Sequence, residues 1–359
     1  MFETNRNENR ANSYYGVRQS PFVAQHYDTW GLGLPFADKI SVPVEQMPMI
    51  LAVGGGKGGV GKSVISANMS AILASCGYRV LVVDLDLGCS NLHTNFGVTM
   101  PKKTLTDFLI GGKYSFDDIL LPAPVQGVAF VAGGKEEMWS KDVGDPRKLL
   151  TPLWEQIVQA KRKYKVDFVI FDLGAGTNRH TMDFFCSSHI GIATVLPEPT
   201  SIENAYVFLR TTLLNFLEII GQKTNQVEAA NEVAAALNNM NSKSLSQGYN
   251  HLLKHLRMSY PDLIDPLLRT LEARKLGLIV NQTRDQADMD IGRSMEHICQ
   301  RYFGFDARYL THLNHDDSVL KSIRNRRLLI SDFPHSIISK RLLNAVSQVL
   351  GLLGLPRRF

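Results

Sequence analysis

The chain has 359 residues, 44% hydrophobic and 20% charged, with a formal charge of +5; that balance suits a globular protein with one large core or two modest ones. It holds no run of about 18 apolar residues, which excludes a membrane-spanning helix, and acids, arginines and tyrosines stand where an export signal needs an apolar core. The four cysteines (Cys76, Cys89, Cys186, Cys299) lack CxxC spacing, which argues for reduced cytoplasmic thiols and against a metal knuckle or disulfide framework.

Residues 1–47 are polar and irregular, yet carry Tyr14, Tyr15, Phe22, Tyr27, Trp30 and Phe36, more aromatics than a linker needs. This extension either packs on its own domain or docks on a partner. From Pro48 a regular alternation begins. Met49–Val53 reads as a strand and Lys62–Ser75 as a helix, with GGGKGGVGKS (Gly54–Ser63) between them. Gly56, Gly61, Lys62 and Ser63 satisfy the GxxxxGK[ST] pattern in the strand–loop–helix setting where it means a phosphate cradle. Glycines at 56, 58, 59 and 61 let the backbone approach a polyphosphate, and the helix N-terminus adds roughly half a positive charge there. The nucleotide-binding segment is therefore Gly56, Lys57, Gly58, Gly59, Val60, Gly61, Lys62, Ser63 and Val64, with Lys62 on the phosphates and Ser63 on Mg²⁺.

The loop has a lysine at each end of KGGVGKS, and in this it resembles the deviant Walker A of the MinD/ParA class of P-loop ATPases, nearest to the MinD- and FlhG-like members. The resemblance implies a P-loop NTPase of the SIMIBI type: an α/β fold with a mostly parallel sheet covered by helices on both faces. It also implies that Lys62 acts in cis, and that Lys57 reaches the partner's nucleotide across an ATP-bound homodimer.

Arg79–Asp84 (RVLVVD) is a buried parallel-type strand running into Asp84-Leu85-Asp86. Acids at the carboxyl end of such a strand either cap a turn or face a ligand or metal. By resemblance this is switch I: Asp86 handles the attacking water and stands with the metal, and Asp84 is a supporting carboxylate near Mg²⁺. A short helix at Thr104–Ile110, a strand at Val128–Ala132 and a helix at Leu149–Tyr164 follow. Asp167–Asp172 (DFVIFD) then ends in DLGAG, matching Walker B and switch II. Asp172 is assigned to Mg²⁺ through water, and Gly174 or Gly176 to the γ-phosphate through a main-chain N–H.

Gly191–Leu196 is the next strand, and Thr200 to Glu203 forms a T-x-x-E capping box opening a helix over Ile202–Leu217. About residues 221–275 the chain departs from its relatives. Helical runs at Val227–Leu237 and Tyr249–Met258, punctuated by Pro261 and Pro266, suggest a helical insertion projecting from the core. It either carries partner specificity or is an inert elaboration. Leu276–Asn281 restores the strand pattern. Asn281 resembles the family asparagine that reads adenine, although the proline usual after the last strand (Ala307–Leu313) is replaced here by Asn314-His315-Asp316. Ile291–Tyr302 and Ser339–Leu353 are helices.

The ATPase domain is thus 48–353, followed by a basic stub at 354–359 whose Arg357, Arg358 and Phe359 offer only a weak contact with anionic lipid. What the resemblance implies is a slow, partner-stimulated ATPase that uses ATP and Mg²⁺, dimerises, and regulates the position or number of a cellular structure such as flagella, a division site or a cargo. It would work in the cytoplasm, at the membrane surface or the nucleoid, with a protein activator meeting 1–47 or 221–275. No DQxxxLR-type segment occurs in 1–47, which counts against the flagellar role. The alternatives are a ParA-like partition ATPase binding DNA through Arg324, Arg326 and Arg327, and a nucleotide-gated scaffold with little hydrolysis.

Overall fold

The strands of this chain carry apolar residues on both faces, and that decides the architecture. In β1 (Met49–Gly54) Ile50 and Ala52 join one buried cluster while Leu51 and Val53 join the other. The same period-two division holds in β2 (Val80–Leu85) and β5 (Phe168–Leu173). A sheet buried on both sides must have helices above and below. The computed structural model describes residues 46–86, 90–110, 113–134, 146–240 and 248–356. Residues 1–45, Cys89, Gly111, Gly112 and the stub's Arg357–Phe359 lie outside these.

Among the described residues the sheet has eight strands in the order β3-β4-β2-β5-β1-β6-β7-β8. The remaining strands are β3 (Leu120–Pro122), β4 (Val128–Val131), β6 (Ile190–Val195), β7 (Lys275–Thr283) and β8 (Asp306–Asn314). All pairings are parallel except β3 with β4, so the expected mostly parallel sheet is found. The Leu-Leu-Pro edge strand β3 is not anticipated from the sequence: three residues are too few to show a period, and its proline fits only an edge.

One face of the sheet is covered by α1 (Lys62–Ser75) and the closing helix Ile337–Leu352. The other is covered by Pro146–Tyr164, Arg179–Cys186 and the long helix Pro199–Lys223. That long helix starts earlier than expected. Glu198 is its N-cap and Pro199 its first residue, so Thr200 lies inside it and the Thr200–Glu203 capping box does not form. Proline is pre-set for the first helical position, which moves the start forward. Likewise Ile291–Tyr302 is part of Gln286–Ile298 followed by a π-helical turn, Cys299–Phe303.

The insertion does not project. Its helices Val227–Asn238, Tyr249–Leu256 and Pro261–Ala273 place Val233, Leu237, Leu253, Ile264, Leu267 and Leu271 in the same buried cluster as the sheet. Pro266 sits within the third helix instead of ending it. The apolar stripe of each helix needs a surface to cover: Val227–Asn238 and Pro261–Ala273 lie against the long helix Pro199–Lys223, and Tyr249–Leu256 stacks its Tyr249 on Phe303 of the Cys299–Phe303 turn. Strand β8 ends the sheet, and its Ala307, Leu310 and His312 carbonyls accept from Gln300 Nε2 (2.9 Å), Gln348 Nε2 (2.7 Å) and Arg341 Nη1 (3.1 Å). Among the described residues no helix is long and apolar enough to cross a membrane.

Candidate nucleotide-binding site

The glycine loop leaves the carboxyl end of the central strand β1 and closes on α1. Gly61, at φ +93°, is the N-cap of α1, and a Cβ there would lie 2.3 Å from Asn281 Nδ2. Gly56 is fixed by a different constraint: a Cβ would meet the Asn204 carbonyl oxygen at 2.1 Å, so the loop lies directly against the long helix. The first-turn N–H groups of α1 have no intrahelical acceptor and point into the loop. Lys62 is buried at this helix head, and its Nζ donates to the Lys57 carbonyl at 3.3 Å. Burial lowers its pKa, and the Asp172 and Asp86 charges oppose that.

Strand parity puts Asp84 and Asp172 on the α1 side of the sheet, in register on neighbouring strands. Ser66 Oγ donates to Asp172 Oδ1 at 3.0 Å, while Asp172 Oδ2 is buried with no hydrogen-bond partner. Burial raises the Asp172 carboxyl pKa against the pull of the Ser63 and Ser66 hydroxyls and Lys62. A hydroxyl and a carboxylate oxygen without a partner are the donor set of a hard cation such as Mg²⁺, which takes its other ligands from phosphates and water. The residues present fit the ion.

Two cavities meet over the loop. The larger, about 810 Å³, is lined by Gly58, Gly59, Gly61, Lys62, Ser63, Val64, Asp86 and Gly174, with Asn91, Thr94, Asn178 and His180 on its outer wall. The smaller, about 280 Å³, is bordered by Asn281, Leu313, His315, Val319 and Ile323. Asn281 Nδ2 donates to the Val60 carbonyl at 2.8 Å and its Oδ1 accepts from the Gln282 N–H at 2.9 Å. One N–H and one lone pair of that amide therefore remain for a ligand.

Three expected residues are engaged by other groups of this chain. Lys57 pairs with Glu198 of its own chain at 2.8 Å and donates to Thr200 Oγ1 at 3.4 Å. The Gly176 N–H donates to the Gly55 carbonyl at 3.2 Å. Asp84 is hydrogen-bonded to Asp86 and Ser90 just after it and, like Asp172, is fully buried and lines neither cavity. Sequence reading passed over Ser66, one helical turn beyond Ser63 and thus on the same face as the P-loop serine. It also missed the helix Asp317–Arg324, whose Ile323 lines both cavities and whose Asp316 N-cap precedes an amphipathic run.

Comparison with known proteins agrees with this geometry. The antiactivator FleN of Pseudomonas aeruginosa is 36% identical over 171 residues, 46% of this chain and 56% of FleN. The flagellum site-determining protein YlxH of Helicobacter pylori is 31% identical over 165 residues, 46% of this chain and 54% of YlxH. The chain thus spans little more than half the length of these relatives. The septum site-determining protein MinD of Synechocystis is 26% identical over 302 residues, covering 79% of this chain and 99% of that one. The structure of Pyrococcus horikoshii MinD complexed with Mg-ADP superposes with a TM-score of 0.56 at 20% identity, over 86% of this chain and 98% of that one; it establishes the fold. Residues 51–329 match the CobQ/CobB/MinD/ParA nucleotide binding domain, and the chain belongs to that family.

Proposed function

We propose that this protein binds Mg-ATP, dimerises around it and hydrolyses it, as a switch that sets the position or number of a cellular structure. The observation that carries the reading is the buried Lys62 ammonium beside Ser63, Asp86 and Asp172, at the head of α1 and on the wall of the larger cavity. FleN is an antiactivator, YlxH a flagellum site-determining protein and MinD a septum site-determining protein, which supports the regulatory part.

In this reading Ser63 and Asp172 hold Mg²⁺, which offsets phosphate charge when bound. Lys62 and the α1 amides grip the phosphates, and Asp86 orients the attacking water. Of the two switch II amides we assign the terminal phosphate to Gly174, because that of Gly176 is engaged by Gly55. The base takes the smaller cavity, with the Asn281 amide at its edge and Val319 and Ile323 on its flank. Asp86→Ala is expected to keep Mg-ATP affinity, lose about 100-fold or more in kcat and accumulate dimer in light scattering. Normal turnover in that variant refutes the assignment.

Lys57 reaches a partner's nucleotide only by leaving Glu198. That is a small step, since a half-exposed ion pair is worth about 0–1 kcal/mol. Lys57→Ala is therefore expected to keep monomer affinity for Mg-ATP within about threefold and to abolish the ATP-induced dimer in size-exclusion chromatography with light scattering. An unchanged dimer removes Lys57 from the interface.

A further inference from the structure

Asp84 is fully buried at the carboxyl end of β2, and among the described residues its hydrogen bonds go to Asp86, Ser90 and Leu92 just after it in the chain. Its Oδ1 accepts from the Asp86 N–H at 3.0 Å. Its Oδ2 accepts from Ser90 Oγ at 2.5 Å and from the Leu92 N–H at 3.3 Å. The far side is closed by Gly133, where a Cβ would stand 2.9 Å from the Ser90 side chain and 3.3 Å from Asp84 Cγ. A carboxylate taken out of water is destabilising unless its lone pairs are matched; among the described residues three donors meet this one, while burial and the neighbouring Asp172 charge still raise its pKa.

What these donors have in common is position. The Asp86 amide belongs to the residue that faces the larger cavity, and the Leu92 amide opens the short helix Leu92–Asn95, whose Thr94 lines the same cavity. Asp86 is in turn set against switch II: its Oδ1 lies 3.4 Å from where Gly174 would carry a Cβ. The backbone leading to Asp86 therefore rests on one buried carboxylate two residues back. The sequence suggested a carboxylate near Mg²⁺; it stands in register with Asp172 on the neighbouring strand, and its hydrogen bonds run to the segment that carries Asp86.

We propose that Asp84 is a positioning residue: it anchors Asp86 and the start of Leu92–Asn95, and so governs the hydrolytic step while leaving nucleotide affinity nearly untouched. The inference rests on the ATPase reading of the site.

Asp84→Asn tests it, because the amide keeps the shape but its nitrogen cannot accept a hydrogen bond. Mg-ATP affinity by calorimetry, and KM, are expected to stay within about threefold of wild type, while kcat falls roughly 10- to 100-fold. In nucleotide-free protein, hydrogen exchange of the Asp86 and Leu92 amides should speed up about tenfold or more, with the amides of β1 and β5 unchanged. Ser90→Ala keeps the carboxylate and both main-chain bonds, so it reports even if Asp84→Asn folds poorly. It should show the same split between kcat and affinity at roughly three- to tenfold, and add nothing to Asp84→Asn in the double variant. Wild-type kcat and exchange in Asp84→Asn overturn the anchor. So does an equal loss of affinity and rate with exchange raised throughout the sheet, the signature of a merely structural residue. If wild-type protein turns over no ATP, the ATPase reading fails, and the exchange experiment still decides the anchor.

Discussion

Replacing Lys62 by alanine is expected to reduce Mg-ATP affinity by two to three orders of magnitude with the fold retained. Lys62 is buried, so its ammonium would meet the phosphates in a site partly withdrawn from water, where a lost charge partner costs about 3–5 kcal/mol. Two carboxylates, Asp172 and Asp86, bear on the same ammonium. Without it they repel the incoming phosphates unopposed, which compounds the loss. Calorimetric titration with Mg-ATP measures the affinity, and a thermal melt without nucleotide checks the fold. Unchanged affinity would dismiss the glycine loop as a phosphate site.

Deleting residues 226–273 is expected to leave no folded protein. Leu253, Ile264, Leu267 and Leu271 are fully buried in the cluster that also holds Leu276, Leu278 and Phe208. Each such side chain contributes roughly 1.5–3 kcal/mol on burial, against a total stability of about 5–15 kcal/mol. The deletion also uncovers the apolar flank of the long helix Pro199–Lys223. Leu267→Ala isolates the effect within an intact chain and should lower urea-unfolding stability by about 2–5 kcal/mol. A deletion variant with a wild-type melting temperature and normal ATP turnover would show the insertion to be dispensable.

Much of the centre was legible because local pattern and position coincide there. VDLDL and FDLGAG each place an acid at the end of a continuous apolar run, which in a doubly covered sheet can lead only to its carboxyl edge. The β1–α1 boundaries follow from a glycine loop that neither a strand nor a helix tolerates. What escaped depends on distant partners. Glu198 holds Lys57 across 141 residues of chain, and no local period announces that pair. The helical runs at Val227–Leu237 and Tyr249–Met258 predict helices but not which surface they cover, and Pro261 and Pro266 read as breaks where a third helix runs, so a layer of the core reads as an outgrowth. Asp84 and Asp86 differ by two positions and look alike in sequence. Only the hydrogen bonds separate the acid that faces the cavity from the one behind it.

Strand β8 has a consequence for assembly. Glutamine and arginine side chains occupy its Ala307, Leu310 and His312 carbonyls, so a foreign strand would have to displace three formed bonds before gaining its own. Growth of the sheet from that margin into fibres or strand-exchanged pairs is thereby opposed.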